Sequence, residues 1–123
     1  PQPMVQLDSV YSQKEKGLLG ITFDPNFEYN KYVYLYYTVN LAGNRVNGIS
    51  LQGTPVRNKI VRYTLDGQTA SPTSKKTILD LDIIPSFLVN FNHDGGTMRF
   101  GADGKLYVAV GENTMWCSSQ CHN

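Results

Sequence analysis

An all-β fold is what this sequence predicts, built from a four-stranded antiparallel unit that starts to repeat within the chain. Three observations carry the expectation. Gly, Pro, Asn and Asp cut the chain into short segments whose apolar residues alternate with period two, the pattern of a half-buried strand. No stretch of twelve residues carries the apolar stripe of an amphipathic helix. Two hairpin-like segments also match one another along the chain.

In chain order, Leu19, Ile21 and Phe23 share one face of a first strand, with Gly20 and Thr22 on the other. Lys31 to Val39 (KYVYLYYTV) is rich in tyrosine and β-branched residues, which suit a pleated surface better than a helix. Val61, Tyr63 and Leu65 alternate with Ile60, Arg62 and Thr64, after which Asp66-Gly67 turns the chain. Thr77 to Ile83 supplies a fourth strand. Met98 and Phe100 alternate with Thr97 and Arg99, Asp103-Gly104 turns, and Leu106 to Val110 follows.

The repeat sets the architecture. GLLGITFDPNFEYNKYVYLYYT and GGTMRFGADGKLYVAV align so that Phe23 matches Phe100, an offset of 77 residues, and Tyr34 matches Tyr107, an offset of 73, because the second turn is four residues shorter. Two further strands lie between them. The unit is four strands followed by the first two of the next, about one and a half blades of a β-propeller. A β-sandwich or small barrel with two similar hairpins is the rival. A propeller needs several blades to close, so the chain is expected to be a fragment with open strand edges and uncovered apolar faces.

Blade geometry places the loops. Gln13 to Gly17 leads into the first inner strand and Asn90 to Gly96 into the second. The Asn40 to Asn58 loop and the Gly111 to Asn123 tail join second to third strands. All four are expected on one face, and the two Asp-Gly turns on the other. On the loop face lies His93, the only internal histidine, within Asn90-Phe91-Asn92-His93-Asp94-Gly95-Gly96. A neutral imidazole there can take a proton from an alcohol, its ordinary pKa lying near working pH. The glycines after it let backbone approach a flat ligand or take positive φ. The bland alternative is a loop histidine bonded to nearby backbone, with Asp94-Gly95 as an ordinary turn. Glu15 and Lys16 fall on the same face, where a carboxylate can accept a bond from a ligand and an ammonium can meet an anionic one; exposed loop charges often do neither. Arg45 and Arg57 belong to a loop that either rims a pocket or is simply solvated.

Composition sets limits. Hydrophobic residues make up 41% and charged residues 17%, enough apolar side chain for a packed core. The net charge is +1, with no basic stripe for nucleic acid and no polybasic run for an anionic membrane. The longest apolar runs are strand-sized, so no membrane span is expected. Cys117 and Cys121 are compatible with a local disulfide or two separate thiols. With His122 they form C-x3-C-H, but no fourth ligand is nearby, so no metal site is expected. The Walker loop, GxGxxG, GxSxG and HExxH motifs are missing.

With NKIVRYTLDG between them, GLLGITFDPNFEYNKYVYLYYT and NHDGGTMRFGADGKLYVAVGEN resemble the glucose/sorbosone dehydrogenase family, over roughly Gly17 to Asn113. The resemblance implies a six-bladed propeller that uses pyrroloquinoline quinone (PQQ) and calcium to oxidise a sugar or related polyol, with electrons passing to an external acceptor. It implies that His93 is the base that deprotonates the sugar hydroxyl and that Glu15 contacts the cofactor. Asn92, beside the base and toward the cofactor, stands where the glucose-oxidising type has an Asp, which puts glucose itself in doubt. The remaining quinone ligands and the calcium-binding carbonyls are expected downstream of this chain. The family's usual compartment is periplasmic or extracellular. Animal proteins of the hedgehog-interacting type carry a similar domain and bind protein partners, so the resemblance also admits a non-enzymatic propeller.

Overall fold

Strand β1 (Leu18–Phe23) leads through one helical turn, α1 (Phe27–Asn30), into β2 (Tyr32–Asn40). After β2 come two short strands, β3 (Arg45–Val46) and β4 (Ile49–Ser50), then the long β5 (Val56–Asp66), β6 (Thr69–Ala70), a 3-10 turn at Pro72–Ser74, and β7 (Lys76–Ile84). A separate hairpin follows, β8 (Gly96–Phe100) and β9 (Leu106–Val110). The computed structural model describes residues 1–42, 45–46, 49–50, 55–84 and 93–111.

Strands β1, β2, β5 and β7 pair antiparallel in chain order, and β6 folds back on the far end of β5. This is one blade, and β8–β9 is the first half of the next. Two expected boundaries move. The third strand begins at Val56, which pairs with Asn40, because β2 and β5 stay in register over nine residues. The connection expected as loop from Asn40 to Asn58 is therefore shorter, and part of it pairs as the β3–β4 ribbon.

Strand β2 is the spine. Val33 through Thr38 are all buried, so both of its faces are covered. On one face Val33, Leu35 and Tyr37 pack with Val61 and Tyr63, and Met4, Val5, Leu7 and Val10 of the N-terminal segment lie over them. The chain's own first residues thus cover one side of the blade, while Ile21, Phe23, Ile83, Tyr107 and Val110 stay exposed, as expected of open sheets. On the other face Tyr34, Tyr36 and Ile60 receive Met98 from β8. Tyr34 and Phe100 meet edge to face with ring centroids 5.2 Å apart, a geometry that adds about 0.5–1.5 kcal/mol beyond area burial.

The internal repeat is also chemical. In the first hairpin Tyr34 donates its hydroxyl hydrogen to Asp24 Oδ2 at 3.0 Å; in the second Tyr107 does the same to Asp103 Oδ2 at 3.0 Å. A turn aspartate thus ties down the tyrosine of the following strand in both units. These turns and the Asp66-Gly67 turn form one end of the blade, where Leu65 N–H donates to Lys31 O. The opposite end gathers Gly17, Asn40, Val56 and Ile84 through the strand register. That is the end from which the leading loops enter the inner strands.

Candidate functional site

The first leading loop is clamped at a single residue. Tyr11 N–H donates to Thr38 O, and Thr38 N–H donates to Gly17 O, both at 2.9 Å. Residues 12–16 therefore bulge from the end of β2 as a closed turn, tightened by Lys16 N–H bonding Gln13 O at 3.2 Å. Thr38 itself is buried, its Oγ1 donating to Asn58 Oδ1 across the strand pair at 2.7 Å.

The second loop reaches the first one. His93 N–H donates to Glu15 Oε2 at 2.5 Å, and Lys16 Nζ donates to Asp94 Oδ2 as an ion pair. Both contacts join residues 78 positions apart. His93 is exposed and has φ of 62°, in the left-handed region that non-glycine residues seldom occupy. Two glycines shape its surroundings by close approach. A Cβ on Gly96 would overlap the Tyr36 ring, and one on Gly111 would overlap the His93 carbonyl.

Asp94 departs furthest from the reading as part of an ordinary turn, for its side chain is fully buried. Burial pushes its carboxyl above the usual range, with Glu15 adding to the rise; the Lys16 bond and charge, and His93, work against it. Burial raises Tyr11 and Tyr36 as well, and the Asp94 charge contributes to both. Lys16, expected to be able to meet an anionic ligand, has its ammonium on Asp94 instead. Gly96 serves the packing of Tyr36, and the positive φ of the motif falls on His93.

Of the residues singled out from the sequence, Glu15 and His93 come together, with the Glu15 carboxylate holding the backbone of His93. Asn92, Cys117, Cys121 and His122 lie outside the described residues. Among the described residues no group of three His, Cys, Asp or Glu side chains could hold a metal ion. A cavity of about 360 Å³ lies elsewhere, between the N-terminal segment and β5–β6 near Met4, Tyr63 and Ala70. Its lining has no carboxylate, amine, imidazole or thiol, only the Tyr63 phenol, the Thr69 hydroxyl and the amides of Gln2 and Gln6. Among the described residues, the two leading loops bring together an exposed imidazole, a bracing carboxylate and a buried ion pair. No helix among the described residues is long and apolar enough to cross a membrane.

An anionic quinone would need cations as well as a base. Lys14 of the first loop is exposed, and Lys16 is neutralised by Asp94. The described residues thus fit the reacting side of such a cofactor and little of its anionic periphery.

Comparisons with known proteins identify the family. The family model for glucose/sorbosone dehydrogenase matches residues 1–122. Quinoprotein glucose dehydrogenase B of Acinetobacter calcoaceticus is 29% identical over 99 residues, covering 80% of this chain and 18% of that protein. Hedgehog-interacting protein of Mus musculus and of Homo sapiens is 28% identical over 101 residues, covering 80% of this chain and 13% of each. The chain spans less than a fifth of the length of these relatives. With its family model matched almost end to end and its blade-and-a-half laid out as the repeat required, the chain belongs to the glucose/sorbosone dehydrogenase family.

Proposed function

We propose that the intact protein is a PQQ- and calcium-dependent dehydrogenase that oxidises a sugar or related polyol, and that this chain supplies its general base. The observation that carries the reading is the meeting of the two leading loops, which sets an exposed His93 beside Glu15 at the mouth of an inner strand. In its neutral form the imidazole accepts the substrate's hydroxyl proton as the carbon-bound hydrogen leaves as hydride. When bound, the quinone is the electron sink and calcium the Lewis acid. Glu15 fixes the loop through the His93 N–H and contacts the cofactor with the rest of its carboxylate. Asn92 stands next to the base as a neutral neighbour, which favours a substrate other than glucose. An external acceptor reoxidises the cofactor, and the working compartment is periplasmic or extracellular.

The test is a pair of substitutions in the intact protein. His93→Asn should bind PQQ normally and lose about 10²–10⁴ in kcat, or roughly 3–5 kcal/mol of barrier. Glu15→Ala should weaken PQQ binding and recover much of its rate when the cofactor saturates. Near-wild-type turnover of His93→Asn would remove the histidine from the mechanism. The likeness to hedgehog-interacting protein supports a second reading, a non-enzymatic propeller that binds a protein partner. Failure of the wild-type protein to quench PQQ fluorescence with calcium present would make that reading the better one.

A further inference from the structure

Two consecutive residues of one loop hold two consecutive residues of the other. Glu15 holds His93 itself, and the proposed chemistry already uses both. Lys16 and Asp94 have no part in that chemistry, yet theirs is the buried contact, with side chains 6% and 0% exposed. A buried ion pair is weak evidence for stability, because taking two charges out of water offsets most of their attraction. Its location suggests another use. Asp94 directly follows His93, whose left-handed backbone persists only where its surroundings hold it. Those surroundings are the Glu15 carboxylate, the Gly111 backbone, the Tyr36 ring beneath Gly96, and the Lys16–Asp94 pair.

We propose that Lys16 and Asp94 are positioning residues: their buried ion pair locks the His93 loop of one blade onto the leading loop of its neighbour and balances the charge felt by the imidazole. Among the described residues, the groups facing Asp94 are Glu15 and Lys16 from the first loop, His93 beside it, Tyr11 from the N-terminal segment and Tyr36 from β2. Removing the carboxylate leaves the lysine's positive charge uncompensated near His93, which favours the neutral ring. Removing the lysine as well restores the balance but not the lock. The turnover part of this inference rests on His93 being the base; the titration part does not.

The experiment uses the intact protein with ¹³C-labelled histidine, the His93 signal being assigned by its loss in His93→Asn. Asp94→Asn should move the His93 titration by about one pH unit to lower pH and reduce kcat about 10²-fold, the cost of a misplaced reacting group. The double variant Lys16→Met/Asp94→Asn should bring the titration back toward wild type while kcat stays low. A pair whose charges the imidazole does not feel would not produce that return. Unchanged titration in Asp94→Asn, or no return in the double variant, overturns the proposal. Should Asp94→Asn fail to fold, the double variant decides alone, and wild-type turnover in it overturns the lock. If the wild-type protein oxidises no sugar with PQQ but the titrations move as stated, the enzymatic reading fails and the ion-pair lock stands.

Discussion

Gly95 and Gly96 are neighbours of the same type, yet the structure assigns them opposite tolerances. At Gly96 an added methyl would overlap the Tyr36 ring and come within 2.8 Å of the Ala109 carbonyl oxygen. Neither neighbour can yield easily. Tyr36 is fully buried between β5 and Met98, and Ala109 belongs to the strand that pairs with β8. Overpacking of this kind costs about 1–3 kcal/mol, and a rigid carbonyl on one side with a buried ring on the other puts Gly96→Ala at the upper end. At Gly95 nothing lies within 4 Å of where the methyl would sit, and φ is not in the left-handed region. Gly95→Ala should therefore be neutral or gain about 0.4–1 kcal/mol from a less flexible unfolded chain. Urea unfolding of the two variants of the intact protein, at constant m-value, reads the difference directly. Gly96→Ala combined with Tyr36→Leu should show a coupling of about 0.5–3 kcal/mol, since the two changes share one space. Equal midpoints for Gly95→Ala and Gly96→Ala would refute the packing argument.

Other expectations concern the turns and the blade junction. Partial burial works to raise the Asp24 carboxyl, but hydrogen bonds from Asn30, Asn26 and Tyr34 and the Arg62 charge outweigh it and hold the group below its ordinary 3.8. Its stabilising contribution is therefore present above pH 3.8 and is lost as pH falls through the lower folded value, so Asp24→Asn should flatten the acid limb of a stability–pH curve. Met98→Ala empties a buried site between the blades and should cost about 2–5 kcal/mol, read by thermal or urea unfolding. Gly111→Ala should push the His93 carbonyl away and lower kcat more than it lowers stability, which parallel kinetics and unfolding would reveal.

Much of the fold was legible in the sequence because strand formation is a local matter of alternation. The six expected strands are present, and the FDPNF and FGADG turns sit at matched positions and make the same Asp–Tyr bond. What the pattern hid was where strands continue without alternating. Residues 56 to 59 (VRNK) look like loop by composition, but nine paired residues between β2 and β5 extend the strand through them. The N-terminal residues gave no periodic signal either, and they become a cover only because the sheet beside them presents Val33, Leu35 and Tyr37.

By itself the sequence determined the all-β class, the four-stranded unit and the face on which Glu15 and His93 sit, since period-two alternation and the phase of the repeat place each loop at one end of its strand. Tertiary structure alone decided that Glu15 meets the His93 backbone and that Lys16 and Asp94 form a buried pair. Those contacts depend on how far one blade is rotated against the next. That rotation is set by Met98 and Phe100 packing onto Tyr34 and Tyr36, contacts between residues more than sixty positions apart. Local periodicity carries no information about such a distance, and so a lysine that reads as an exposed loop charge and an aspartate that reads as part of an ordinary turn become one buried contact next to the exposed histidine.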